Sequence, residues 1–298
     1  MNSASFKMES TTHADMICRA VNAGVNKSKL PTGRLLLLSM LAGAYIGFGC
    51  LLSTIITTGA AGFLPYGITR LAGGLIFCLG LILVVVGGAE LFTGNSLMVI
   101  AWMDHKITAV SMLRNWLLVY LGNFVGSVIL AFLVFLSKEY LFSQGEVGKT
   151  ILNLALVKVN YPFSQALALG ILCNILVCLA VWMTFAGNTV TDKIAAIVFP
   201  ITAFVAAGFE HSVANMYAIP LGWIIKTFDP SYTAATSLNL ASITWKNILL
   251  SNLLPVTLGN IIGGSIFVGC VYAAIYLPIK TTHRERSLPS GDSKQLEK

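Results

Sequence analysis

Charge is what this sequence has least of. Asp, Glu, Lys and Arg make up 10% of its 298 residues against 56% hydrophobic, and the mean hydropathy is +0.80, a balance that soluble domains do not reach. The formal net charge of +7 would suit nucleic acid. The basic residues are scattered between apolar runs rather than gathered on a polar module, however, which excludes nucleic acid as a partner. Six cysteines are present, none in a Cys-x-x-Cys or Cys/His arrangement with metal-ligand spacing, so no metal, no cofactor and no thiol chemistry is expected of them. They read as small hydrophobes. A secretory leader is also missing: the first 33 residues are polar and run into the first apolar segment without a cleavage site, so that segment is expected to be retained. No Gly-x-Ser-x-Gly elbow occurs, and the neighbours His211 and Ser212 would point about 100° apart on a helix. No catalytic residues are assigned, and an enzyme is not expected.

Apolar length, by contrast, is abundant. Six apolar runs cover about 35–58, 70–102, 113–137, 164–187, 194–225 and 248–277, where roughly 20 residues suffice to cross a hydrocarbon core. The fold class is an all-α membrane protein with six transmembrane helices in a lipid bilayer. Residues 1–33 form a surface helix and linker, 34–277 the transmembrane domain, and 278–298 a disordered cytoplasmic tail. Thr12 can cap a short first helix in which Met16, Ile17, Ala20, Val21, Gly24 and Val25 recur at helical spacing, a pattern expected to lie on the membrane surface. Six spans put both termini on one side. Most of the 19 Lys and Arg residues fall on that side, so both termini are expected to be cytoplasmic.

The second and fifth runs, at about 33 and 32 residues, are too long for one crossing each. Each also carries a carboxylate, Glu90 and Glu210, the latter beside His211. Ionisable groups at such depth cost about 2.5–3.5 kcal/mol on insertion scales and mark function by default. A break near Gly208, with the helix resuming after Ser212, accommodates both observations. The third and sixth runs repeat a pattern: Asn115, Leu117, Val119, Leu121, Gly122, Asn123, Gly126 and Ile129 recur at a constant offset as Asn252, Leu254, Val256, Leu258, Gly259, Asn260, Gly263 and Ile266. Gly88, Glu90 and Asn95 likewise match Gly208, Glu210 and Asn215. The halves 34–137 and 164–277 are therefore repeats with an odd number of spans each. The second must enter the membrane from the opposite face, which gives an inverted 3+3 repeat with helices 2 and 5 broken around a midplane site. Helix ends freed at such breaks suit an anion. Gly43 and Gly47, Gly122 and Gly126, and Gly259 and Gly263 allow close helix approach, and Asn123 and Asn260 are expected to hold the scaffold by bonds between helices.

Four segments resemble the signatures of the formate/nitrite transporter family: Gly88-Ala-Glu-Leu-Phe-Thr-Gly94, Gly170 through Trp182, Gly208-Phe-Glu-His-Ser-Val-Ala-Asn-Met216 and Pro255 through Gly264. The resemblance spans about residues 12 to 277. It implies an aquaporin-like fold assembled as a homopentamer in the bacterial inner membrane, with one pore per subunit for small monovalent anions or their conjugate acids. By this resemblance His211 is the central pore histidine and Thr93 the threonine on the opposing broken helix. Lys158 is the vestibule lysine, Asn174 the asparagine near the histidine, and Glu210 the brace of the fifth-span loop. Phe77, Leu81, Leu91, Phe92, Val177 and Phe204 are implied to line apolar constrictions.

An anion entering such a constriction loses hydration that nothing there replaces, so passage as the neutral acid costs less. His211 could lend or relay a proton, or act as a neutral donor that orients the substrate. Lys158, expected in an outward loop, would concentrate the anion. Glu210 could accept backbone N–H groups freed at the break. Formate is the substrate favoured by the motifs, with nitrite and hydrosulfide as alternatives. A neutral-solute channel would be compatible with the repeat alone, but the paired Asn-Pro-Ala motifs of aquaporins are missing.

Overall fold

The computed structural model describes residues 11–278, and the described part is entirely helical apart from its connections. The expected tail lies almost wholly outside these residues. Helix α1 (His13–Ser28) begins with a reciprocal cap: the Asp15 backbone N–H donates to Thr12 Oγ1 (3.2 Å) and the Thr12 N–H to the Asp15 carboxylate (2.8 Å). The Thr12 hydroxyl, donating to the Asp15 carboxylate at 2.7 Å, and then the Thr12 N–H hold that exposed carboxyl below its usual range. The apolar stripe of α1 does not face lipid as the sequence suggested. Met16, Ile17, Ala20 and Val21 are buried against Leu97, Met98 and Ala101, because a neighbouring helix of the same chain offers that stripe closer packing than acyl chains do.

The remaining helices follow. They are α2 (Thr32–Thr57) and α3 (Tyr66–Gly87), then the short α4 (Phe92–Asn95) and α5 (Met98–Met103), then α6 (Ala109–Leu136). After two 3₁₀ turns at Glu139–Leu141 and Ser143–Gly145 come α7 (Glu146–Val159), α8 (Phe163–Thr184), α9 (Val190–Ala207), α10 (Ser212–Phe228), the short α11 (Pro230–Ala235) and α12 (Trp245–Tyr276). Six of these, α2, α3, α6, α8, α9 and α12, are long and apolar enough to cross a bilayer. Helices α2, α3 and α8 start directly after Pro31, Pro65 and Pro162, where a missing N–H forfeits no bond and the ring pre-sets φ. α12 contains two π-helical stretches, Ile248–Leu253 and Ile262–Cys270.

Helix α10 is mostly apolar and buried along nearly its whole length, as suits a central helix. Around it, α2 packs on α6 and α3, and α8 packs on α12 and α9. The closest approaches occur at glycines. A Cβ on Gly126 would overlap the backbone of Met40, and one on Gly263 the backbone of Ile171. These are equivalent crossings, α6 on α2 and α12 on α8. The buried cysteines Cys50, Cys78, Cys173 and Cys178 are all free and fill the packing as small apolar groups.

Gly126→Val and Gly263→Val are each expected to destabilise the fold by about 1–3 kcal/mol, read as a lower midpoint in a detergent unfolding titration. Gly33→Ala, where a Cβ meets nothing within 4 Å, is expected to leave the midpoint unchanged.

Candidate functional site

Two helices stop inside the bundle, and they stop in the same way. α3 ends on Gly88 (φ +77°, ψ +29°) and α9 on Gly208 (φ +78°, ψ +26°), left-handed conformations that glycine adopts at least cost. Helicity resumes after Leu91 (φ −109°, ψ 124°) and after His211 (φ −106°, ψ 116°), so each interruption spans four residues with matching backbone geometry.

The buried polar groups of the two interruptions bond to equivalent partners. At the first, the Glu90 carboxylate accepts from Lys27 Nζ (2.8 Å) and Asn95 Nδ2 (2.8 Å), and Asn95 Nδ2 also donates to Asn115 Oδ1. At the second, the Glu210 carboxylate accepts from Lys158 Nζ (2.6 Å) and Asn215 Nδ2 (2.7 Å), and Asn215 Nδ2 donates to Asn252 Oδ1. Asn115 closes the first set through the Lys27 carbonyl (3.2 Å), and Asn252 the second through the Lys158 carbonyl (2.9 Å). Asn123 accepts from the Phe92 N–H (2.9 Å) and donates to the carbonyls of Ser39 and Glu90. Asn260 accepts from the Ser212 N–H (2.9 Å) and donates to those of Gly170 and Glu210. The scaffold role expected of Asn123 and Asn260 is thus what their bonds describe.

Two expectations require correction. Lys158 is not in a loop: it lies in the last turn of α7 and reaches inward to Glu210. The buried carboxylate attracts its ammonium, while the long apolar stem remains packed in the helix. Glu210 does not collect freed backbone N–H groups with its carboxylate. Asn260 and the His211 ring take those of Ser212 and Ala214, leaving the Glu210 oxygens to Lys158, Asn215 and Asn252.

His211 caps α10 with its own ring: Nδ1 accepts the Ala214 N–H at 3.0 Å. In the neutral imidazole the proton then sits on Nε2, which donates to Thr93 Oγ1 at 2.9 Å. The Thr93 hydroxyl proton is left to donate elsewhere. Asn174 supports the contact from α8, with Nδ2 donating to the carbonyls of Thr93 (3.2 Å) and Asn260 (2.6 Å). His211 and Thr93 are both buried; His211 lines one of two cavities, Thr93 lines neither, and its neighbours Leu91 and Gly94 line the other. One, of about 340 Å³, is lined by Lys27, Leu81, Glu90 and Leu91 among others. The other, of about 410 Å³, is lined by Phe77, Lys158, Phe204, Glu210 and His211 among others. Phe77 and Phe204 meet edge to face at 5.5 Å, and the Phe204 ring lies 5.9 Å from the imidazole. Phe92 instead packs edge-on against Tyr120 (5.0 Å). Phe92 and Val177 are buried and line neither cavity. Tyr161 also lines the larger cavity, and burial pushes its phenol above the usual range.

The family pattern described as Formate/nitrite transporter matches residues 14–274. The chain belongs to the formate/nitrite transporter family. Among its relatives is the formate channel FocA of Escherichia coli (strain K12), 43% identical over 262 residues, covering 87% of this chain and 92% of that protein. The probable formate transporter of Methanothermobacter thermautotrophicus is 39% identical, covering 84% and 92%. A solved pentameric formate channel with formate bound superposes with a TM-score of 0.77 at 44% identity, covering 83% of this chain and 98% of that one.

Within this family member, Lys27 is the polar group that the sequence pattern alone did not single out. Its signal was available, since Lys27 precedes Leu38 by the same interval as Lys158 precedes Leu169, and Leu38 and Leu169 accept the Glu90 and Glu210 N–H groups (3.2 Å each). Lys158→Met should leave Glu210 buried without its counter-charge and destabilise the protein by about 3–5 kcal/mol. Adding Glu210→Gln is expected to recover much of that loss in thermal unfolding in detergent. Simple additivity of the two losses would contradict the pairing.

Proposed function

We propose that this protein is a membrane channel for formate or a closely similar small monovalent anion, which crosses the narrowest part of the path with a proton. The observation that carries this reading is the Thr93 to His211 bond, with His211 in the lining of one cavity and Leu91 and Gly94, on either side of Thr93, in the lining of the other. The names of the relatives support formate, and the solved neighbour's title supports assembly as a pentamer. The setting is a bacterial inner membrane crossed in several passes with both termini cytoplasmic.

The matched interruptions and their matched bonds support an aquaporin-like inverted 3+3 repeat in which the second and fifth spans are broken near the midplane. In that arrangement the two cavities open to opposite sides. An anion leaving a cavity meets Phe77 and Phe204 on one side, or Leu81 and Leu91 on the other, and none of these replaces its hydration. The neutral acid passes at far lower cost. His211 holds its proton at Nε2, and through it the Thr93 hydroxyl is turned to donate to a carboxylate arriving from either cavity. A second proton on Nδ1 would displace the Ala214 N–H, so the resting imidazole acts as a neutral donor. Any relay of a proton proceeds through Nε2 and Thr93. Asn174 fixes the Thr93 backbone while this happens.

Liposome flux of formate, nitrite, hydrosulfide and glycerol tests the reading. Saturable formate flux that rises toward acid pH, with glycerol retained, is expected; free passage of glycerol would replace it with a neutral-solute channel. His211→Asn should flatten the pH dependence between about pH 5 and 8, and wild-type rates for anion and acid throughout that range would remove the proton role. Thr93→Val deletes one hydrogen-bonding hydroxyl worth about 1 kcal/mol, and formate flux is expected to fall about fivefold with the folded oligomer intact on gel filtration.

A further inference from the structure

The cation that draws the anion into the larger cavity is a separate question, because the Lys158 ammonium is already engaged by Glu210 at 2.6 Å with both side chains largely buried. Together they present no net charge to an entering ion. Among the described residues lining that cavity, the other formally charged side chain is Arg70, which takes part in none of the ion pairs found among the described residues. Its guanidinium donates from Nε to the Ala206 carbonyl (2.9 Å) and from Nη2 to the Val205 carbonyl (2.5 Å). These carbonyls are the C-terminal end of α9, just before the break at Gly208. A helix C-terminus carries a partial negative charge, and here it is directed at the cavity an anion must enter.

We propose that Arg70 is the specificity-determining cation of this vestibule. By clamping the end of α9 it cancels the negative helix terminus, and its remaining charge makes the entrance net positive. The proposal rests on the anion-channel reading above. The other cavity holds a similar set with one more cation, Lys193, in its lining: Lys27 is paired with Glu90, and Arg19 donates to the carbonyl of Phe185 (2.8 Å) and to Asn188 Oδ1 (2.9 Å) just beyond the end of α8. In both entrances, then, one lysine is paired with a glutamate and an arginine donates to a carbonyl at the end of a helix.

The test is formate flux into liposomes at varied formate and salt concentrations for wild type, Arg70→Gln, Arg70→Lys and Asn153→Asp. Asn153 lines the same cavity, so its aspartate adds a compensating negative charge while leaving the Arg70 clamp in place, and it serves if Arg70→Gln does not fold. Arg70→Gln and Asn153→Asp are each expected to raise the half-saturating formate concentration on the order of fivefold, to weaken its salt dependence, and to leave maximal flux within about twofold. Arg70→Lys is expected to restore most of the affinity. Wild-type half-saturation and salt dependence in Arg70→Gln and Asn153→Asp would overturn the proposal. So would equal loss of maximal flux in Arg70→Gln and Arg70→Lys with Asn153→Asp unaffected, which is the signature of a clamp that matters only for structure. Failure of the underlying reading is visible separately, as wild type passing glycerol as readily as formate without saturation.

Discussion

A helix interrupted inside an apolar bundle strands backbone N–H and C=O groups where water cannot reach them, and each one left unpaired costs several kcal/mol. The architecture answers that constraint twice with the same residues. An asparagine from a neighbouring helix, Asn123 or Asn260, spans each gap, taking the N–H that opens the resumed helix and giving its amide hydrogens to the carbonyl of the gap glutamate and to one on an adjacent helix, Ser39 or Gly170. A glutamate in each gap is held by a lysine and an asparagine. Once those groups are satisfied, the interruption can persist, and a side chain within it can face a path.

The two gaps differ in how the helix resumes. The first resumes after Leu91, whose side chain offers no cap, and the second after His211, whose Nδ1 accepts the Ala214 N–H. Capping fixes the tautomer, the tautomer points Nε2–H at Thr93, and Thr93 comes from the helix resumed after the other gap. The Thr93 to His211 contact thereby depends on a fold that brings two helix starts together. The ion pairs beside them, Lys27 with Glu90 and Lys158 with Glu210, each set a cation against the carboxylate of a gap.

The spans, the interruption at Gly208, and the importance of Asn123 and Asn260 were legible because they rest on local signals: run length, glycine, and a repeated pattern of polar residues in apolar helices. Contacts made by long side chains across the bundle were not. Lys158 looked like a loop residue because its helix, Glu146–Val159, carries charges at its exposed start, and only the folded chain brings its ammonium to Glu210. Lys27 belongs to a helix whose apolar stripe resembles a lipid-facing one until α5 is seen to cover it. Arg70 had no sequence partner, since its acceptors are main-chain atoms. The direction of Phe92, toward Tyr120 rather than into a cavity, is a rotamer outcome that no spacing rule contains.

The central claim is that two equivalent halves meet from opposite faces of the membrane to form one path through Thr93 and His211. Side-specific labelling addresses it directly, using single cysteines in place of Ala23 and Asn153, which line the two different cavities, in a variant without the native cysteines. A charged, membrane-impermeant maleimide applied to vesicles of known orientation is predicted to modify the two positions from opposite sides of the membrane. Modification of both from the same side would contradict the account.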